Sequence, residues 1–348
     1  MAAPSSVSST TLRLLIDKLQ DNSFISHPLF QAVEEAGNLK RVSGGQRVEQ
    51  PVIIGEQSSG LTQVSSGWEP TPLNFSDPFL TANFEWCDII DHVGLNIVEK
   101  TSNKGELARV NILESKIKNL MIYMRLAITR RIFQGPVATT GAASRLTNLQ
   151  TLNGCTTASS NGWFEAVASG SQQNTVGGLA KTTYRAQNWY NQFQDVNVRG
   201  GGALSLNDID ALFINCMQFN PDGSPPDMLF LSPAAYSAFM ALIQGQTRYT
   251  TAAGREGLDA GMVAEFRGAR VYVDNRLGFT AQNPNAPVSG YALTSSQFEV
   301  YTDESAFFEV HDPMPVPGTA TEAWQVHTRL QITTGRLACH GILFDAEA

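Results

Sequence analysis

Hydrophobic and polar positions change period several times along the chain, and each change predicts an element. Leu12, Leu15, Ile16 and Leu19 share one face of a short amphipathic helix that Ser9 or Thr10 caps. A second short helix runs through Phe30 and Val33 and ends at Gly37. From 47 the period becomes two: Val48, Gln50, Val52 and Ile54 alternate with Arg47, Glu49, Pro51 and Ile53. Pro51 cannot donate to a sheet ladder, so this strand lies at an edge or stands free. Residues 57–78 are rich in Ser, Gly and Pro around Trp68. Alternation then returns with Leu80, Ala82, Phe84 and Trp86, and Val93, Leu95 and Ile97 extend it. The two runs predict a long two-stranded β arm with a wide polar tip. Such a ribbon is marginal in water by itself, so something else must pack on it.

The strongest helical signal covers 103–133. Val110, Leu113, Ile117, Leu120, Met121, Met124, Ile128 and Ile132 recur at steps of three and four, with Asn111, Glu114, Lys118, Arg125 and Thr129 on the other face. At 1.5 Å per residue this helix is roughly 45 Å long, and Gly135-Pro136 ends it. Residues 135–204 are rich in Gly, Ser, Thr and Asn, with islands at 146–152 and 183–193. Ser205 caps a helix carrying Leu206, Ile209, Leu212, Phe213 and Cys216; the buried strand 228–232 follows, and Ser232-Pro233 opens a helix reaching Ile243. A Gly-rich loop at 245–262 precedes strands at 269–274, 298–301 and 307–310. A long strand alternates Trp324, Val326, Thr328, Leu330 and Ile332, and 337–344 closes the chain. Helices and strands mix without a regular βαβ rhythm, which predicts an α+β fold.

Composition changes this picture in one respect. Charged residues are only 16% of the 348, against roughly a quarter in ordinary soluble domains, so much of the surface is not meant for water. The net charge of −8 disfavours general nucleic-acid binding. Cys87, Cys155, Cys216 and Cys339 form no CxxC pair, which argues against a zinc ribbon, an iron–sulfur site or a disulfide scaffold. No secretory signal and no run of 18 apolar residues is present.

Candidate chemistry is sparse. The segment 175–183, TVGGLAKTT, has glycines before Lys-Thr as a phosphate loop would, but it lacks the glycine directly before Lys181 and a leading apolar strand. A Gly turn before a short helix explains it better. His27, His92, His311, His327 and His340 form no zinc-hydrolase pattern, and no GxSxG elbow occurs. Cys339 and His340 point to opposite faces if they lie on a strand. Arg130-Arg131 reads as favourable charge at a helix C-terminus. No catalytic constellation, cofactor site or metal site emerges.

The order of N-terminal arm, β arm, long helix and α/β body resembles the tailed-bacteriophage major capsid proteins of the Hong Kong 97 type. TNLQTL (147–152), TVGGLAKTTYRAQNWYNQ (175–192), PDMLFLSPAAYSAF (226–239) and EFRGARVYVD (265–274) are similar to segments of that family in the same order. The resemblance implies an α+β Hong Kong 97-like fold with an N-terminal arm at 1–46 and an extended loop at 47–92. It implies a peripheral domain at 93–139 and 298–335 with its spine helix at 103–133, and an axial domain at 140–297 and 336–348. It implies a structural protein, not an enzyme, that self-assembles through pentamers and hexamers into an icosahedral head around double-stranded DNA. Trp68, Phe75, Phe79, Phe84 and Trp86 on the loop are the candidate inter-subunit contacts. The arm begins almost at Met1, without the N-terminal scaffolding extension of one branch of the family, so assembly would need a separate scaffolding protein, or none; the other implied partners are a portal and a decoration protein. Packaged DNA is non-specific content and no membrane is involved. The protein would assemble in the bacterial cytoplasm and reside in the virion. Two alternatives stay open: a cellular nanocompartment shell of the same fold, and a soluble enzyme with a site in 245–262. Some relatives link subunits through a lysine on the extended loop; none of the seven lysines here falls within 47–92, which implies a shell without that bond.

Overall fold

The computed structural model describes residues 28–54, 77–102, 112–134, 148–150, 162–165, 169–196, 204–244, 265–274, 277 and 288–344. In chain order these carry α1 (Pro28–Glu35), β1 (Leu39–Val42), β2 (Arg47–Ile53), β3 (Phe79–Glu85), β4 (Cys87–Asn96), α2 (Ile97–Ser102) and α3 (Ile112–Gln134). Then follow β5 (Asn148–Gln150), β6 (Gly162–Phe164), β7 (Thr175–Val176), β8 (Leu179–Ala180), β9 (Gln192–Asp195), α4 (Leu206–Met217), β10 (Met228–Leu231) and α5 (Pro233–Gln244). The remainder is β11 (Glu265–Phe266), β12 (Ala269–Val273), β13 (Val288–Leu293), β14 (Phe298–Asp303), β15 (Glu309–Val310), β16 (Met314–Pro315), β17 (Thr321–Thr334) and β18 (Gly341–Phe344). The mixture is α+β. The described residues divide into two compact units, the smaller drawn from 90–125 and 308–327 and the larger from 28–89, 126–307 and 328–344.

The larger unit is organised by a mixed sheet in the order β11-β12-β10-β13-β18-β9. β10 runs parallel to β12 and antiparallel to β13, and β18 runs antiparallel to β13 and parallel to β9. All four residues of β10 and of β18 are buried, as uninterrupted apolar runs require. α4 begins with a capping box. The Ser205 side chain accepts from the Asn207 N–H at 3.1 Å, and the Asp208 carboxylate accepts from the Ser205 N–H at 3.2 Å. Its Ile209, Leu212, Phe213 and Cys216 fall at i, i+3, i+4 and i+7 and pack against Leu229, Leu231 and Leu343. Gly341 is required where α4 crosses β18, because a Cβ there would lie 2.6 Å from Leu212 Cδ1. α5 starts as predicted: Ser232 Oγ accepts from the Ala235 N–H at 3.2 Å, and Pro233 needs no partner at the first helical position.

α1 ends at Gly37 with φ 72°, where the Asn38 N–H reaches the Val33 carbonyl. β1 then runs parallel to β14, and β14 runs antiparallel to 330–334 of β17. The C-terminal part of α3 buries Ile128, Ile132 and Phe133, and the Phe133 ring stacks on Tyr291 at 5.7 Å and tilts against Phe230 at 5.5 Å.

In the smaller unit, β15 and β16 pair antiparallel with 322–327 of β17. Lys116 reaches Glu99 at 2.8 Å and the guanidinium of Arg125 lies 5.1 Å from the Phe308 ring centre. Trp324, Val326 and Leu95 are buried, while Ile90, Ile97, Val98, Val310 and Met314 face solvent.

Several expectations change. Ile97 starts a helix instead of extending the strand. The long helix is described from Ile112 to Gln134, and 103–111 lies outside the described residues. Thr129, assigned to the polar face, is fully buried, because the packed face of the helix is wider at this end than a single stripe. The strand at 307–310 shrinks to Glu309–Val310, since Phe308 has φ 53° and breaks the extended chain. β13 was not anticipated. Its VSGYAL is given no element from the sequence, yet it lies between β10 and β18. The arm helix at 9–19 and the 245–262 loop lie outside the described residues.

Candidate assembly surface

β2 and β3 form a separate antiparallel ribbon with Arg47 opposite Glu85 and Ile53 opposite Phe79. Period two gives it two faces. Val52, Ala82 and Phe84 are buried on one. That face rests on the hairpin of β7 and β8, where the Asn83 N–H donates to the Gly177 carbonyl at 2.8 Å. Gly177 has φ 58°, and a Cβ at that position would sit 2.9 Å from Ala82 Cβ. Only glycine permits both the tight turn and the close approach. The base of the arm therefore does not stand free; the chain's own Gly-Gly hairpin covers its underside. A cleft of about 370 Å³ lies alongside, lined by Gln50, Val52, Trp189, Phe219 and Arg336 among others.

The opposite face is bare. Ile53 is 68% exposed and Phe79 is 60% exposed, and the two stand directly across the ribbon from each other. A cross-strand aromatic–β-branched pair at the end of a ribbon is an apolar patch, and among the described residues it is left exposed. Fully covering each side chain is worth about 1.5–3 kcal/mol. Of the sequence candidates, Phe79 belongs to this patch. Phe84 and Trp86 are 2% and 4% exposed, so this chain itself already occupies their surfaces. Trp86 lies between β3 and β4, with the Arg329 guanidinium 5.9 Å from its ring centre. Arg329 is held at Asp88 by a 2.9 Å contact, which raises its pKa, and it also reaches Asp303 at 3.6 Å. The Ser305 hydroxyl and N–H hold the Asp303 carboxyl below the ordinary carboxylate range, with Arg329 adding to the effect. Trp68 and Phe75 lie outside the described residues. Ile53 was missed as a candidate, although its signal is in the pattern: it is the apolar member of the otherwise polar series Arg47, Glu49, Pro51.

The glycine-lysine segment is not a phosphate loop. Lys181 is fully buried, and its Nζ donates to the Trp163 carbonyl at 2.6 Å, Asn191 Oδ1 at 2.8 Å and Gln172 Oε1 at 3.2 Å. It also pairs with Glu165 Oε2 at 3.2 Å. Glu165 accepts the N–H groups of Gln173 and Asn174. A buried ammonium must be surrounded in this way, and it has no face left for an anion. Sequence reading missed Glu165 and Asn191, because nothing local marks a polar residue that will meet a lysine ten or more positions away.

His340 is a second buried polar centre. The Thr294 N–H donates to its Nδ1 at 3.1 Å, so Nε2 carries the proton and faces Thr334 Oγ1 at 3.2 Å. Trp163, Phe164 and Phe298 surround the ring at 6.0–6.5 Å. Burial pushes its pKa down to about 3. Burial also pushes the Cys339 thiol up to about 12, so it is not a nucleophile at neutral pH. Among the described residues no His, Cys, Asp and Glu group is placed to hold a metal, and no helix is long and apolar enough to cross a membrane.

No family model matches the chain, and no curated protein matches it by sequence. Solved structures do. A chain of the cyanophage A-1(L) capsid asymmetric unit aligns over 98% of both chains with a TM-score of 0.63 at 11% identity. The chain has that fold. It is also similar to the capsid of Myoviridae phage XM1, over 96% of both chains with a TM-score of 0.56 at 10% identity. The holo-SrpI encapsulin complex from Synechococcus elongatus PCC 7942 aligns over 99% of this chain and 96% of that one, with a TM-score of 0.57 at 11% identity.

Proposed function

We propose that this protein is a major capsid protein of the Hong Kong 97 type, the self-assembling subunit of an icosahedral phage head that encloses double-stranded DNA. The observation that carries the reading is the two-way coverage: 98% of this chain aligns with 98% of a phage capsid chain. The exposed Ile53–Phe79 pair and the low charged fraction support it, since both suit a surface that neighbouring copies cover. In this reading 47–92 is the extended loop, 93–139 and 298–335 the peripheral domain, and 140–297 with 336–348 the axial domain. Pentamers and hexamers of the chain, a scaffolding protein, a portal and a decoration protein complete the head, which assembles in the host cytoplasm. The role is structural and not enzymatic.

Sedimentation and negative-stain imaging of the purified protein test the proposal. Closed particles of megadalton mass are expected, and a stable monomer under every assembly condition would overturn it. The encapsulin likeness favours a second reading, a cellular nanocompartment shell. Particles isolated from the natural source separate the two: a genome-length DNA content supports the phage head, and an enclosed cargo enzyme supports the compartment.

A further inference from the structure

We propose that Lys181 and Asn191 join in an autocatalytic intrachain isopeptide bond, with Glu165 moving the proton. The inference is independent of the assembly reading. Its basis is the meeting of an amine, a carboxamide and a carboxylate at one buried point. Lys181 Nζ, a nucleophile once deprotonated, touches the carboxamide of Asn191 at 2.8 Å. The Glu165 carboxylate lies 3.2 Å from the same Nζ and is held in place by the Gln173 and Asn174 N–H groups. The Glu165 backbone N–H donates to Asn191 Oδ1 at 3.0 Å, so the carbonyl is polarised by a fixed donor where negative charge would develop. Asn191 Nδ2 is oriented away from the amine by the carbonyls of Glu165 and Gln192, each at 3.0 Å. Lys181 is fully buried, and Trp163, which supplies one of its carbonyl partners, is itself buried against Phe164 and Phe298. Glu165 and Asn191 are buried with it, at 4% and 1% exposure.

The step balances without any co-reactant. Glu165 takes a proton from the Lys181 ammonium. The freed electron pair on Nζ forms a bond to Asn191 Cγ, and the Oδ1 charge rests on the Glu165 N–H. Glu165 returns the proton to Nδ2, the Cγ–Nδ2 bond breaks, and ammonia departs with the surplus proton from Nζ as ammonium. Carbon and nitrogen keep their oxidation states. The product is a secondary amide; the positive charge of Lys181 leaves with the ammonium, and the Glu165 carboxylate keeps the N–H groups of Gln173 and Asn174 as partners. The bond lies within one chain, so it is distinct from a link between subunits.

Intact-mass spectrometry of the full-length folded protein, followed by tryptic mapping, tests this. The chain is expected to be lighter by one ammonia, and trypsin is expected to leave Lys181 uncut. The digest then contains a branched peptide joining 146–185 to 186–199, since Arg145, Arg185 and Arg199 bound those two pieces. Lys181→Arg and Glu165→Gln are expected to show the full mass and linear peptides, with folding checked by circular dichroism. Full mass with a free Lys181 in the wild type, after long incubation at neutral pH, would overturn the proposal. So would an ammonia loss confined to a linear 186–199 peptide, which is cyclisation of Asn191 alone. The wild-type measurement decides the matter even if a variant fails to fold.

Discussion

The mixed sheet around β10 is built from uninterrupted apolar runs and the ribbon of β2 and β3 from alternating ones, and the two end differently. Phe230 on β10 is covered on all sides, with Phe133 at 5.5 Å and Tyr272 at 5.1 Å. Phe79 on β3 is bare. The sheet is closed by helices and neighbouring strands of the same chain, so its apolar residues stabilise the fold. The ribbon has one covered face, and the apolar residues on its other face contribute nothing to a lone chain. The sheet holds the subunit together, and in the proposed shell the bare face of the ribbon is what a neighbouring copy would cover. Substitutions in the first should destabilise the subunit, and substitutions in the second should leave it stable but change what it joins.

Four measurements would break or sharpen that contrast. The acid response should be largest. Burial holds His340 neutral with a pKa of about 3, against 6.5 for an ordinary histidine. Between those values the unfolded chain takes up a proton that the folded chain refuses. This contribution is intact above about pH 6.5 and shrinks as pH falls, by up to about 4–5 kcal/mol near pH 3. Denaturation midpoints measured from pH 7 to pH 4 should fall, and His340→Gln should flatten that slope. An unchanged slope in the variant would show that His340 is not the titrating group. Phe230→Ala should cost about 3–5 kcal/mol in urea unfolding, because it empties a site between two rings. A loss under 1 kcal/mol would mean the sheet is less closed than its geometry indicates.

Gly177→Val should cost about 1–3 kcal/mol, since φ is positive and the added Cβ would lie 2.9 Å from Ala82 Cβ. Faster hydrogen exchange at Asn83, whose N–H is bonded to the Gly177 carbonyl, would report release of the ribbon. The smallest effect on stability belongs to Ile53→Ser with Phe79→Ser, expected within about 0.5 kcal/mol of the parent. That pair should nonetheless abolish or weaken assembly in a sedimentation assay. Normal particles from the double variant would remove the patch from the interface.

Much of this was legible before any tertiary structure. The Ser205 and Ser232 caps, the α4 face through Cys216, the buried β10 and the pairing of 47–53 with 79–85 follow from short-range rules. Capping, periodicity of 3.6 and periodicity of 2 act over a few residues, and the sequence carries them whole. The candidate surface was legible only in part: the ribbon was found, but Phe84 and Trp86 were placed on the wrong side of the covered-or-bare question. Alternation says that two faces differ. It does not say which face the rest of the chain will cover.

The sequence by itself determined the local elements, the α+β class and, through their order, the likeness to a shell subunit. The tertiary structure alone decided the positions where distant segments meet. Gly177 needs its glycine because Ala82 arrives against it from about a hundred residues earlier in the chain. Lys181 looks like a phosphate ligand in its own segment and becomes a buried ammonium only when Glu165 and Asn191 fold around it. Thr129 is likewise buried by what packs over it, against its polar character, and β13 takes its place only between β10 and β18. The free energy of burying a side chain depends on its neighbours in space, and those neighbours are fixed by contacts that no local window contains.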